Sequence, residues 1–348
     1  MICSQVRPTF LVLLFLSLTA MSAVAQQVAG SRPIPYPVVP PANFLRAIDN
    51  GTRTTAGEPG PNYWQQWADY DIRVSLDPAD KRVEGSATIT YFNRSPDDLE
   101  FVALHLLQNL HAPGAARGGP AEVTGGFELE RVEVANRELR PREGRRAPGY
   151  VVAGTILFVY PETPVRSGQT LEMTIDWAFT VPKVGAGGRM GWDSDDLFHI
   201  AYWYPQMAVY DDVVGWQTDQ FLDNAEFYSA FGDYDVSIEA PVGWVVMGTG
   251  ELENADEVLS DPVLARYRRA HESDDVINVV TQADLASGTT RASGSGKLTW
   301  RFRADSVRDV AFSAMLRSNW DAARTPVGDR DGDGESEYAL INSFWRPN

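Results

Sequence analysis

Apolar and polar residues alternate along much of the chain at the two-residue period of a half-buried strand. Tyr70, Ile72, Val74 and Leu76 alternate with Asp71, Arg73 and Ser75. After the turn residues Asp77-Pro78-Ala79-Asp80, Val83, Gly85, Ala87, Ile89 and Tyr91 alternate with Glu84, Ser86, Thr88 and Thr90. This pattern predicts a hairpin with one buried face. Leu171, Met173, Ile175, Trp177 and Phe179 repeat the period after the turn Arg166-Ser167-Gly168-Gln169. Further strands are predicted over 99–106, 127–134, 155–160, 234–239, 245–249, 276–281, 298–303 and 338–345. Asp261-Pro262 opens a predicted helix to residue 270, with Asp at the cap and Pro in the first turn. A short helix is predicted near 42–48, and the glycines between 185 and 191 read as a flexible loop. Residues 305–323 are open between helix and strand, because Val307, Val310, Ala311, Ala314 and Met315 fall at helical spacing. Many strands with few helices predict a mainly β fold, a multi-stranded sandwich or saddle.

The ends differ from this pattern. Arg7, the apolar run from Phe10 to Leu18 and the small-x-small triplet Ala23-Val24-Ala25 read as a secretory signal peptide over 1–25. Secretion or a periplasmic location is the expectation, with no membrane span after cleavage. Residues 26–61 form a leader rich in Pro and Gly, expected to be extended or loose. The only cysteine, Cys3, lies in the signal, so the mature chain has no disulfide or thiolate chemistry. A formal net charge of −17 argues against nucleic acid and anionic membrane as partners.

Residues 196–236 concentrate large rings, among them Trp203, Tyr204, Tyr210, Trp216, Phe221 and Tyr234, with interleaved acids such as Asp211, Asp212, Asp219 and Asp233. Two readings are open. One is a ring-walled acidic pocket suited to a cationic group, such as a peptide's α-amine. The other is a sandwich interior with acids at strand ends.

The segments Tyr204-Pro205-Gln206, Ala225-Glu226-Phe227 and Tyr234-Asp235-Val236-Ser237-Ile238-Glu239-Ala240-Pro241 occur in order after the opening hairpin. Together they resemble the N-terminal domain of M1-type zinc metallopeptidases, the aminopeptidase N and leukotriene A4 hydrolase superfamily, in a secreted bacterial branch. The resemblance runs from about residue 63 onward. It implies a β-rich N-terminal domain over 62–303 and an incomplete start of a catalytic domain over 304–348. It also implies a strand over 308–314, and an apolar edge left without partners after residue 305. Gln206 matches a position that lines the substrate's first pocket in the family, and Asp211 and Asp212 lie near the family's acidic pair at a different spacing.

The family's zinc site needs His-Glu-x-x-His on one helix face, with the Glu as general base. This chain has only His105, His111, His199 and His271, and Asp275 stands where a second ligand after His271 would fall. The amine-binding Gly-x-Met-Glu-Asn motif is also absent. No catalytic residue is therefore assigned. Zinc and a peptide substrate belong to the full-length family member, and the missing catalytic domain is the expected partner. His199 is expected to point into a sheet interface.

Asp329, Asp331 and Asp333 have the D-x-D-x-D-G spacing of a calcium loop, where alternate side chains converge on a hard cation. Position twelve is Leu340, which cannot supply the bidentate carboxylate. A hydrophilic hairpin turn is the competing reading. The expected function is a substrate-cleft-forming domain of an aminopeptidase-like protein, inactive alone. The alternative is a stand-alone peptide- or glycan-binding envelope module, with Trp203 and Trp216 as stacking platforms.

Overall fold

In the computed structural model, residues 39–145, 147–224 and 228–346 are described. The expected signal peptide, most of the leader and the Ala225-Glu226-Phe227 motif lie outside them. The chain divides into two compact units, residues 1–45 and 46–348. Among the described residues no helix is long and apolar enough to cross a membrane, which leaves a β-barrel untouched.

After helix α1 (Ala42–Asp49) come β1 (Trp67–Asp77), β2 (Arg82–Phe92), β3 (Val102–His105), β4 (Glu128–Val134), β5 (Arg137–Leu139), β6 (Gly149–Ala153), β7 (Ile156–Tyr160) and β8 (Thr170–Thr180). The central stretch holds the short strands β9 (Val184–Gly185), β10 (Met190–Asp193), β11 (Leu197–Ile200), β12 (Gln206–Met207), β13 (Tyr210–Asp211) and β14 (Gly215–Trp216). Next are β15 (Gly232–Pro241), β16 (Val245–Gly248), β17 (Glu251–Leu252), α2 (Ala255–Val258), α3 (Asp261–Ala270), β18 (Ile277–Val280) and α4 (Gln282–Ser287). The chain then forms β19 (Lys297–Val307), β20 (Phe312–Met315), β21 (Asn319–Gly328) and β22 (Glu337–Trp345).

The fold is mainly β. An eight-stranded sheet runs β17-β19-β15-β1-β2-β8-β4-β5. Smaller sheets run β16-β20-β11-β10-β9, β12-β3-β7-β6 and β18-β21-β22, with a two-stranded β13-β14 pair. Among these strand pairs only β1 and β15 run parallel, Tyr70 opposite Tyr234 and Val74 opposite Ile238. The alternation read in the sequence sets the faces. Ile72, Leu76, Val83, Ala87, Ile89, Ile175 and Phe179 are fully buried, and they share one core with Leu104, Leu157 and Phe198 of the smaller sheets and with Trp203 before β12. Each such large side chain contributes about 1.5–3 kcal/mol when taken out of water.

Three local expectations change. Gly185 and Gly191 of the glycine run lie on the paired strands β9 and β10, and Gly187 and Gly188 fall in the turn between them. Gly191 sits at φ 141°, where a Cβ would fall 2.3 Å from the Lys183 carbonyl oxygen, so this glycine allows close packing. His199 is exposed on the sheet surface, with Nδ1 2.9 Å from the Ser313 hydroxyl, because β11 turns Phe198 and Ile200 inward. Residues 305–323 hold strand and connecting turns with no helix, and β20 starts at Phe312, later than expected.

β20 is fully partnered between β16 and β11. β22 is not. It pairs with β21 alone, and Tyr338, Ile341 and Trp345 are 48%, 57% and 43% exposed.

Candidate functional site

Two of the segments named from the sequence, Tyr204-Pro205-Gln206 and the Tyr234 strand, meet the residues that follow β19. β12 places Gln206 opposite His105 of β3. The Gln206 side chain is buried, and its Nε2 donates to the Arg308 carbonyl at 2.7 Å. One residue on, the Met207 amide donates to the Tyr70 hydroxyl at 3.1 Å.

Tyr70 and Tyr234 stack across the parallel β1/β15 pair, centroids 4.4 Å apart at 2°. Tyr204 meets both edge-on at 79°, the offset geometry that ring quadrupoles favour. Its hydroxyl lies 3.2 Å from that of Tyr234 and donates to Asp309 Oδ1 at 2.9 Å. The Val310 amide donates to the same oxygen at 2.8 Å. Trp203, on the neighbouring position, donates Nε1 to the Val310 carbonyl at 2.8 Å. The turn from β19 into residues 308–310 is thus clamped by Trp203, Tyr204 and Gln206.

Burial sets the protonation here. It pushes the Tyr70 and Tyr204 phenols well above their usual range and the Tyr234 phenol up to about 12, so all three keep their protons. It also raises the Asp309 carboxyl, against the Tyr204 and Val310 hydrogen bonds that favour the anion.

The chain bends sharply at this point. A β-bulge interrupts β15/β19 between Gly232 and Tyr234, and Ser306 sits at φ 56° with its amide held by Asp233 Oδ1 at 2.8 Å. Bulges re-aim side chains at sheet ends. Arg308 is carried outward, its guanidinium 4.5 Å from the centre of the Phe231 ring. Among the described residues it has no ion-pair partner.

Asp211 and Asp212 belong to other networks. Asp211 Oδ1 accepts the Val213 and Val214 amides at 3.0 and 2.7 Å, closing the β13–β14 turn. Asp212 takes a two-pronged bond from Arg53, 2.8 and 2.7 Å, with only 1% of its side chain exposed. Burial alone would raise its pKa, but the Arg53 and Thr52 hydrogen bonds outweigh it and hold the carboxyl below the usual range. None of the three residues shares a hydrogen-bond partner with another. The acids of the central stretch therefore cap turns and pair with Arg. Trp203 is fully buried, so it cannot stack on a ligand. Trp216 packs among Tyr91, Phe101 and Tyr210.

The histidines are scattered. His111 is buried with Nδ1 2.8 Å from the Glu122 carbonyl oxygen, His271 lies edge-on to Tyr267, and burial lowers His105 to about 4. Zinc does not fit these residues, since among the described residues no histidine belongs to a group of three or more converging His, Cys, Asp or Glu side chains. The carboxylates of Asp329, Asp331 and Asp333 do come within 4.8 Å of one another, in the exposed hairpin loop between β21 and β22. Asp329 already accepts the Gly332 and Gly334 amides at 2.6 and 2.9 Å, and Asp333 accepts that of Glu335. Leu340 lies on β22 opposite Arg324, away from the loop.

Asp309 was not singled out from the sequence, although Tyr204 and Tyr234 were. An acid placed before the apolar run Val310-Ala311-Phe312 is the signal that could have flagged it.

The chain matches no protein-family model and no curated protein. It is similar to solved structures of an M1 zinc metallopeptidase from Deinococcus radiodurans. One shares 14% identity over 81% of this chain and 48% of its own, with a TM-score of 0.43. A mutant of that enzyme bound to a Tyr-Ser-Ala substrate shares 12% over 81% and 49%, TM-score 0.43. A two-domain M1 mutant bound to L-arginine shares 11% over 84% and 50%, TM-score 0.40. This chain spans about half the length of each. Likeness at this level does not decide function.

Proposed function

We propose that this chain is the β-rich, cleft-forming N-terminal part of a secreted aminopeptidase-like zinc metallopeptidase, and that it has no hydrolytic activity alone. The observation that carries the reading is the clamp at Arg308–Asp309. Tyr204-Pro205-Gln206 and the Tyr234 strand, segments of the ordered M1-like series, close on the same turn and present Arg308 outward. In this reading Gln206 acts on the cleft wall through the backbone it holds, and the substrate is a peptide. Zinc would be held by His-Glu-x-x-His residues of a catalytic part, where it supplies an activated water. This chain's own residues shape the wall.

The test is the complete coding sequence of the locus, followed by an assay. A frame carrying His-Glu-x-x-His, joined or adjacent to this chain, is expected. The two parts together should cleave amino-acid anilides in a chelator-sensitive way, while this chain alone should not. Absence of such a frame, or cleavage by the purified chain alone, overturns the reading.

A further inference from the structure

The outer face of the eight-stranded sheet carries a groove of about 760 Å³ that the zinc-peptidase reading does not use. Strand register gives it two unlike walls. One row crosses β19, β15, β1, β2, β8 and β4 as Arg301, Ser237, Arg73, Ser86, Asp176 and Arg131, each opposite the next. The second row lies two residues along the same strands. It runs Thr299, Glu239, Ser75, Glu84, Ala178 and Glu128. The first wall is rich in guanidinium, and its one acid, Asp176, is already engaged by Ser86 and Arg131. The second wall carries Glu239, Glu84 and Glu128; Lys297 donates to its Ser75 at 2.9 Å and Arg82 bonds Glu84 and Glu128, which leaves Glu239 as its unpaired acid among the described residues.

The walls do not neutralise each other. Among the described residues no ion pair crosses between them. Arg131 and Arg301 bond to acids on their own side, Glu133 and Glu257, and Glu84 and Glu128 bond to Arg82. Arg73 has only a 3.4 Å contact with Asp71. Glu239 is exposed and has no hydrogen-bond or ion-pair partner among the described residues.

Beneath the groove, Gly85 and Trp177 face the core: a Cβ at Gly85 would fall 2.6 Å from the Trp177 ring, which is 1% exposed and packs against Trp203.

We propose that this groove binds an extended polypeptide segment of alternating charge. Side chains of an extended strand point alternately to opposite sides. Acids on one side then meet Arg73, and bases on the other meet Glu239. Six strands at about 4.8 Å spacing make the groove roughly 24 Å long, the reach of about seven extended residues. A polyanion would meet the carboxylate wall and a polycation the guanidinium wall, so neither fits. This site is separate from the Arg308–Asp309 clamp and does not depend on the zinc-peptidase reading.

The test uses fluorescein-labelled, end-capped octapeptides and the intact chain, followed by anisotropy at low and high salt. The peptides are alternating Lys-Asp, a block of four Lys then four Asp, all-Lys and all-Asp. The alternating peptide should bind at least tenfold tighter than the other three. Arg73→Gln and Glu239→Gln, both at exposed positions, should each weaken it at least fivefold while leaving the unfolding midpoint unchanged. Equal binding of the all-Lys peptide would mean attraction to net negative charge alone and would overturn the proposal. Equal binding of the block peptide, no binding at all, or unchanged affinity in both variants would also overturn it.

Discussion

Gln206 and Arg308 are joined across the fold by one hydrogen bond, from the buried side-chain amide to the backbone carbonyl at 2.7 Å. The bond fixes the place where the chain leaves β19. Gln206→Leu removes the donor and strands a carbonyl in an apolar setting. It should cost about 1–3 kcal/mol, read as a lower urea midpoint at unchanged slope. An unchanged midpoint would mean that water replaces the amide and that the clamp rests on the tyrosines.

Asp309 should make the protein less stable as pH rises. Burial raises its folded pKa above the unfolded value, so the folded state binds the extra proton. Its stabilising contribution is complete below the ordinary aspartate range and is lost as pH climbs through the raised value. Asp309→Asn keeps an oxygen for Tyr204 and Val310 but cannot ionise. It should be more stable than the parent at pH 7, with the gain shrinking at pH 4. Urea midpoints at the two pH values check the sign, and a gain at pH 4 equal to that at pH 7 would contradict it.

Asp212 should act in the opposite sense. Its folded pKa is depressed, so its contribution is present above the unfolded value and lost as pH falls through the folded one. Arg53→Ala leaves a carboxylate whose side chain is 1% exposed without its cation. A loss of about 3 kcal/mol is expected at pH 7, and a much smaller loss once Asp212 is protonated. Equal losses at pH 7 and pH 3 would show that Arg53 acts by packing over Tyr63, 4.8 Å from its ring, and not by charge.

The Asp329–Asp333 loop should bind calcium weakly. Its three carboxylates converge, but Asp329 and Asp333 are already committed to loop amides, and Leu340 offers no ligand. Calcium sites draw on six to eight oxygens. Isothermal titration at about 0.1 mM calcium, the tight end of the range for extracellular modules, should show no heat. A clear exotherm there would mean that the loop rearranges to recruit Glu335 or Glu337.

The sheet was legible because its signal is local. Alternation along Tyr70–Leu76 and Val83–Tyr91 fixes both strands and their buried faces before any partner is known. The short pieces β9 to β14 were not legible, since strands of two to four residues carry too little periodicity. α4 has its own marker, a capping box between Thr281 and Asp284, six residues before a glycine. The clamp was only half visible. Gln206 stood out by resemblance, whereas its partner Arg308 lies 102 residues further along the chain. The charged walls of the outer groove were invisible for the same reason: Arg73 and Ser237 become neighbours only through strand register.

The parallel seam between β1 and β15 has a consequence for how the protein is made. Tyr70 and Tyr234 lie far apart along the polypeptide yet sit side by side at the middle of the largest sheet. On the ribosome the first hairpin must wait, one apolar margin bare, until the later strand has emerged. Pairings of such long sequence separation slow folding. Nascent chains stalled before residue 241 should therefore remain protease-sensitive and bind chaperones, and protection should appear abruptly once β15 and β19 are both out.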